Sequence, residues 1–206
     1  LKRMNKPGFR MLTGVERDSK SDIYMIPIPV GNAYEGFMLA PMLHNYEFPA
    51  HRLKFMAMPF VGFKHGTLSG MADIKLNNFV RGNDVLRNIE LGYNFKSFIF
   101  DESDLGDGYL QRYIRHAPRI SFLFNADRSK GAYSALTVRY IDLKQEEAIF
   151  ENQQFTGFDY VGNSIVDAQY EYNISRAVNP WSLMVQYRQL VTPASDFDRD
   201  FSRISM

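Results

Sequence analysis

The groups with which this chain could do chemistry are four histidines and a scatter of carboxylates; it has no cysteine. A thiolate metal centre and a disulfide scaffold are therefore excluded. His44 and Glu47 stand three apart, a spacing that pairs metal ligands on a helix. Here the run Phe37 to Tyr46 reads as a strand, which sends the two side chains to opposite faces. His51 and His65 fall in turns. Asp196, Asp198 and Asp200 share one side of an extended segment, and Asp101, Glu102, Asp104 and Asp107 precede Gly108 in a loose acidic loop. Carboxylates of this kind could hold a hard cation, but isolated acidic runs are more often solvated, and the second lacks a calcium loop's terminal glutamate spacing. No phosphate loop, zinc-binding H-E-x-x-H helix or G-x-S-x-G elbow occurs. Asn173-Ile174-Ser175 matches a glycosylation sequon but lies inside an expected strand. No catalytic, cofactor-binding or metal residue is assigned on these grounds.

The elements that would position any site are strands. Aromatic residues make up 15% of the 206, a content that favours strands and, in barrels, anchors membrane interfaces. A net charge of +1 argues against a nucleic-acid partner. The longest mostly apolar run, Gly36 to Leu43, is far short of the ~20 residues of a membrane helix.

Helical periodicity is nearly absent and period-2 alternation is frequent. Val166, Ala168, Tyr170, Tyr172 and Ile174 point one way; Asp167, Gln169, Glu171 and Asn173 point the other. A turn with Asn179-Pro180 follows, and then Trp181, Leu183, Val185 and Tyr187 alternate with Ser182, Met184, Gln186 and Arg188, completing a hairpin. Weaker runs include Ala72 to Leu76, Ile89 to Phe95, Ile120 to Phe124 and Leu136 to Tyr140. Ile23 to Val30, Phe37 to Tyr46 and Leu53 to Phe63 carry Pro27, Pro29, Pro41 and Pro59, which belong at edges, strand ends or bulges. These signals predict about nine strands. Residues 1–20 read as a patternless linker and 21–206 as the strand domain. Asp101 to Leu110 and Asp142 to Asn163 read as long loops.

Such alternation fits two solvents. A soluble sandwich turns its apolar face inward, and a membrane barrel turns it outward into lipid. Runs of about ten residues match a tilted membrane strand. Aromatics at strand ends (Phe79, Phe98, Phe100, Tyr133, Trp181, Tyr187) match interface girdles. The expected fold is thus all-β, an antiparallel up-and-down transmembrane β-barrel, incomplete in this chain. Charges in a narrow lumen must pair to offset desolvation. The candidates are Asp167, Glu171, Arg139, Arg188, Asp73, Lys75, Glu90 and Lys96, with Arg139 and Arg188 expected beside the strand of Asp167 and Glu171.

One segment carries a family resemblance. G-N-A-Y-E-G-F-M-L-A-P-M-L-H-N-Y runs from Gly31 to Tyr46, followed by Phe55-Met56-Ala57-Met58-Pro59-Phe60, Gly62-Phe63, Thr67-Leu68-Ser69-Gly70 and Ile89-Glu90-Leu91-Gly92. Over roughly residues 9 to 190 the chain resembles the barrel-like C-terminal region of large Bacteroidetes-type surface proteins that carry a gluzincin metallopeptidase-like domain upstream. The resemblance implies a bacterial outer-membrane location and a longer parent chain. It places no peptidase residue here. The expected partners are the lipid bilayer and other outer-membrane or periplasmic proteins. The leading functional expectation is a membrane anchor or assembly component whose lumen is closed by ion pairs. A channel or transporter, a soluble barrel or sandwich binding an apolar ligand, and an enzyme with loop residues stay open.

Overall fold

The computed structural model describes residues 6–12, 14, 21–46, 51–102, 109–124, 131–151, 154–174, 180–191 and 202–205. All regular elements among them are strands: β1 (Pro7–Met11), β2 (Ser21–Asn32), β3 (Gly36–His44), β4 (Leu53–Gly62), β5 (Leu68–Phe79), β6 (Leu86–Glu102), β7 (Leu110–Phe124), β8 (Ala132–Glu151), β9 (Gln154–Ile174), β10 (Trp181–Val191) and β11 (Ser202–Ser205). The nine strands expected from alternation correspond to β2 through β10. The sheet order follows the chain from β1 to β11, as consecutive hairpins produce. β1 and β11 are its edges, so no pairing among the described residues closes the sheet into the expected barrel.

Three local expectations are corrected. Pro7–Met11, placed in the linker, is a strand paired in parallel with β2, with Phe9 opposite Ile23. Five residues are too few to register as a periodic run, yet they satisfy the edge of β2. The stretch Asp142 to Asn163, read as the longest loop, is instead the continuation of β8 and β9, which run 20 and 21 residues. Polar and apolar residues are mixed on both of its faces, so it gives no alternation, although an antiparallel ladder satisfies its backbone all the same. Asp101 and Glu102 close β6 rather than opening a loop.

The prolines sit where the ladder can spare a donor. Among the described residues β1 covers β2 only from Ser21 to Met25, which leaves Pro27 and Pro29 beyond that pairing. The β3–β4 ladder breaks between Leu39↔Val61 and Leu43↔Ala57, the stretch that holds Pro41 and Pro59. Tight turns use left-handed glycines: Gly36 (φ 67°) ends the β2–β3 turn and Gly66 (φ 66°) lies in the β4–β5 turn.

Contacts divide the chain into two units. The first comprises Leu1–Ile74, Asn94–His116 and Leu143–Gly162; the second comprises Lys75–Tyr93, Ala117–Asp142 and Asn163–Met206. The first has an apolar core in which Met38, Ala40 and Phe60 are buried against Val30, Met58, Met71 and Phe98. The second is the reverse of a soluble layer. Its buried side chains are mostly polar or small (Asn88, Ser121, Ser134, Asp167, Ala117, Ala135), Ile174 being the large exception. Its exposed ones include Leu76, Leu91, Tyr93, Tyr140, Tyr170, Leu183, Tyr187 and Val191.

Candidate functional site

The most concentrated polar cluster in the second unit is built across β8, β9 and β10. Period-2 geometry puts Asp167 on the face opposite Ala168 and Tyr170, and antiparallel register sets it directly across from Arg188. Its carboxylate is 0% exposed. Arg139, from β8, donates to Oδ2 from Nε at 3.0 Å and from Nη2 at 2.6 Å. Gln186 Nε2 donates to Oδ1 at 2.6 Å, and Arg188 Nε lies 3.6 Å from the same oxygen. Arg139 Nη2 also reaches Gln169 Oε1 at 3.4 Å. A buried carboxylate needs this density of donors, since an unpaired one would be strongly disfavoured.

The other charge candidates are dispersed. Glu171 faces Met184 in register and joins no ion pair among the described residues. Glu90 pairs with Arg119, whose Nε lies 3.8 Å away. Arg119 lies over Gly92, where a β-carbon would meet Nε at 2.6 Å. A side chain at this position would push that guanidinium aside. In the first unit Asp73 accepts from the Tyr46 hydroxyl at 3.2 Å and from Asn94 Nδ2 at 3.5 Å. Lys75 follows two residues along β5, and Lys96 on β6 joins no ion pair among the described residues. Of the eight residues, Asp167, Arg139 and Arg188 are brought together in one cluster.

Sequence reading does not single out Glu35, which is 0% exposed in the β2–β3 turn. Asn32 Oδ1 caps that turn by accepting the amides of Tyr34 and Glu35 at 3.0 and 2.6 Å. The Glu35 carboxylate then accepts from Thr67 Oγ1 at 2.6 Å, Ser69 Oγ at 2.9 Å and Asn32 Nδ2 at 3.2 Å. One side chain thereby ties the β2–β3 turn to the β4–β5 turn. The available signal was Asn32 three residues before a glutamate in a glycine-flanked turn.

His44 is buried at 5% exposure, with the Tyr24 ring stacked on it at 5.7 Å between centroids. Its Nδ1 accepts the Tyr46 amide at 3.4 Å, and Nε2 has no hydrogen-bond partner among the described residues. His51 is also buried, at 2%. No group of three or more His, Asp or Glu among the described residues could hold a metal ion. Asp196, Asp198, Asp200, Asp104, Asp107 and Glu47 lie outside the described residues.

The first unit also has a cavity of about 430 Å³, open to the surface, that includes Leu43, Ala57, Gly70, Ala72, Phe95 and Arg112. The arrangement as a whole can neutralise buried charge and present apolar surface. No protein-family model, curated protein or solved structure matches the chain.

Proposed function

We propose that this chain is a transmembrane β-sheet domain of barrel type that anchors a larger protein or assembly in a bacterial outer membrane. The observation that carries the reading is the inverted burial of the second unit. Asp167 is fully buried, while Tyr170, Leu183, Tyr187 and Val191 on the same two strands are 37–44% exposed. In water this arrangement wastes the hydrophobic effect; in a bilayer it places apolar side chains against hydrocarbon and polar ones away from it. Strand lengths allow it: β2 to β10 run 9 to 21 residues, each at least the ~9 that a tilted strand needs to cross. The Asp167 cluster fills its face with paired charge, which favours an anchor over an open pore. The resemblance around Gly31 to Tyr46 adds a metallopeptidase-like domain upstream as the cargo of the anchor.

The test is refolding from urea into detergent micelles and lipid vesicles. A membrane barrel migrates faster on gels when unheated than when boiled, resists extraction from vesicles by alkaline carbonate, and, if closed by ion pairs, passes no current in a planar bilayer. A monomer that is fully folded and soluble in buffer without detergent would overturn the reading. Steady conductance would replace the anchor with a channel.

A further inference from the structure

The cavity in the first unit lies mainly on the half-buried face of the sheet, opposite the apolar core. Leu43 and Ala57 pair across β3–β4 on the side opposite the buried Met38, Ala40 and Phe60. Its floor is made of small residues. Ala57, Gly70 and Ala72 leave the main chain close to the surface: at Gly70 a β-carbon would meet the Met58 carbonyl oxygen at 3.1 Å. Phe95, its ring tilted against His116 at 5.3 Å between centroids, forms one wall. The result is a furrow of about 430 Å³ that is apolar along its length.

One end is different in kind. Arg112 lines the furrow and donates from Nη1 to Ser97 Oγ at 3.5 Å, a weak bond. The neighbouring carboxylate, Glu146, is engaged by other donors: the Arg112 amide at 3.0 Å and the Tyr160 hydroxyl at 3.1 Å. The rest of the guanidinium fan has no partner among the described residues. A planar cation with unused donors at the end of an apolar furrow complements a molecule with a phosphate at one end and a hydrocarbon chain at the other.

We propose that this furrow holds a single membrane phospholipid with an anionic headgroup, its phosphate on Arg112 and Ser97 and one acyl chain over Ala57, Gly70 and Ala72. This rests on the membrane reading above. From Leu68, at the Arg112 end, to Ala72 the furrow extends four residues, about 13 Å at the usual strand rise. That length accommodates a substantial part of an acyl chain.

The experiment is native mass spectrometry of the full chain released from micelles doped with equal amounts of phosphatidylglycerol and phosphatidylcholine. The same preparations are checked for heat-modifiable migration. The expected result is one retained lipid, with phosphatidylglycerol favoured by about fivefold, the worth of one basic residue at an anionic headgroup. R112Q removes the preference but keeps binding, and R112K restores part of it. A72F fills the furrow and abolishes retention of both lipids. A folded, heat-modifiable protein whose R112Q variant keeps the wild-type preference, or whose A72F variant retains lipid as before, overturns the inference and leaves the membrane reading standing. A chain that shows no heat-modifiable migration overturns both.

Discussion

Replacing Asp167 with Asn tests whether the polar face depends on paired charge. The substitution preserves shape and removes the carboxylate that Arg139 and Arg188 share. In the wild type Oδ2 takes two bonds from Arg139 and Oδ1 takes one from Gln186. An asparagine offers one oxygen and one amino group, so a donor must face either Arg139 or Gln186. Breaking a fully buried ion pair costs about 3–5 kcal/mol. Here the acid is fully buried but the Arg139 and Arg188 side chains are 31% and 46% exposed, so water recovers part of the loss. The expected destabilisation is about 2 kcal/mol. Urea titration of the refolded protein in micelles reads it, with fluorescence of the lone tryptophan, Trp181, which packs on Tyr172 at 5.3 Å. A double-mutant cycle then separates the partners. Asp167 couples to Arg139 by about 1–2 kcal/mol, and to the single, longer contact of Arg188 by less than about 0.5 kcal/mol. Equal coupling to both arginines, or a stability of D167N within error of wild type, refutes the claim that this carboxylate organises the cluster.

Three further outcomes follow from the same physics. Leu91 is 49% exposed; L91R costs about 2–4 kcal/mol in vesicles if that face meets hydrocarbon, measured by urea midpoint, whereas a water-facing position shows almost none. E35A strips a buried carboxylate from Thr67, Ser69 and Asn32 and lowers stability by about 2–3 kcal/mol, with E35Q losing less because hydroxyls reorient; equal losses would count against the hydrogen-bond account. G92V displaces the Arg119 guanidinium and destabilises by about 1–3 kcal/mol, and R119A in the same chain relieves most of that strain in thermal unfolding.

The strand content and the hairpin succession were legible because side chains on a strand alternate with a period of two. Val166 to Ile174 and Trp181 to Tyr187 announced β9 and β10, and Asp167 with Arg139 and Arg188 could be named because neighbouring strands in the chain are neighbours in the sheet. Alternation fails where both faces have the same mixture of residues. The ends of β8 and β9, with polar and apolar side chains on both faces, read as a loop for that reason, and the apolar stretches of β3 and β4 did not disclose which methionines are buried.

The sequence alone determined the class of element, since residue polarity and period act through one or two neighbours at a time. Tertiary structure decided what depends on register between distant segments. It made Asp167 the hub and left Glu171 facing Met184, put Glu35 within reach of Thr67 and Ser69, and set Arg119 over Gly92. It also decided that Asp167 is buried while Tyr170, Leu183 and Tyr187 on the same two strands are exposed. Period two sorts residues into two faces but carries no sign, and only the packing of whole strands shows which face is covered.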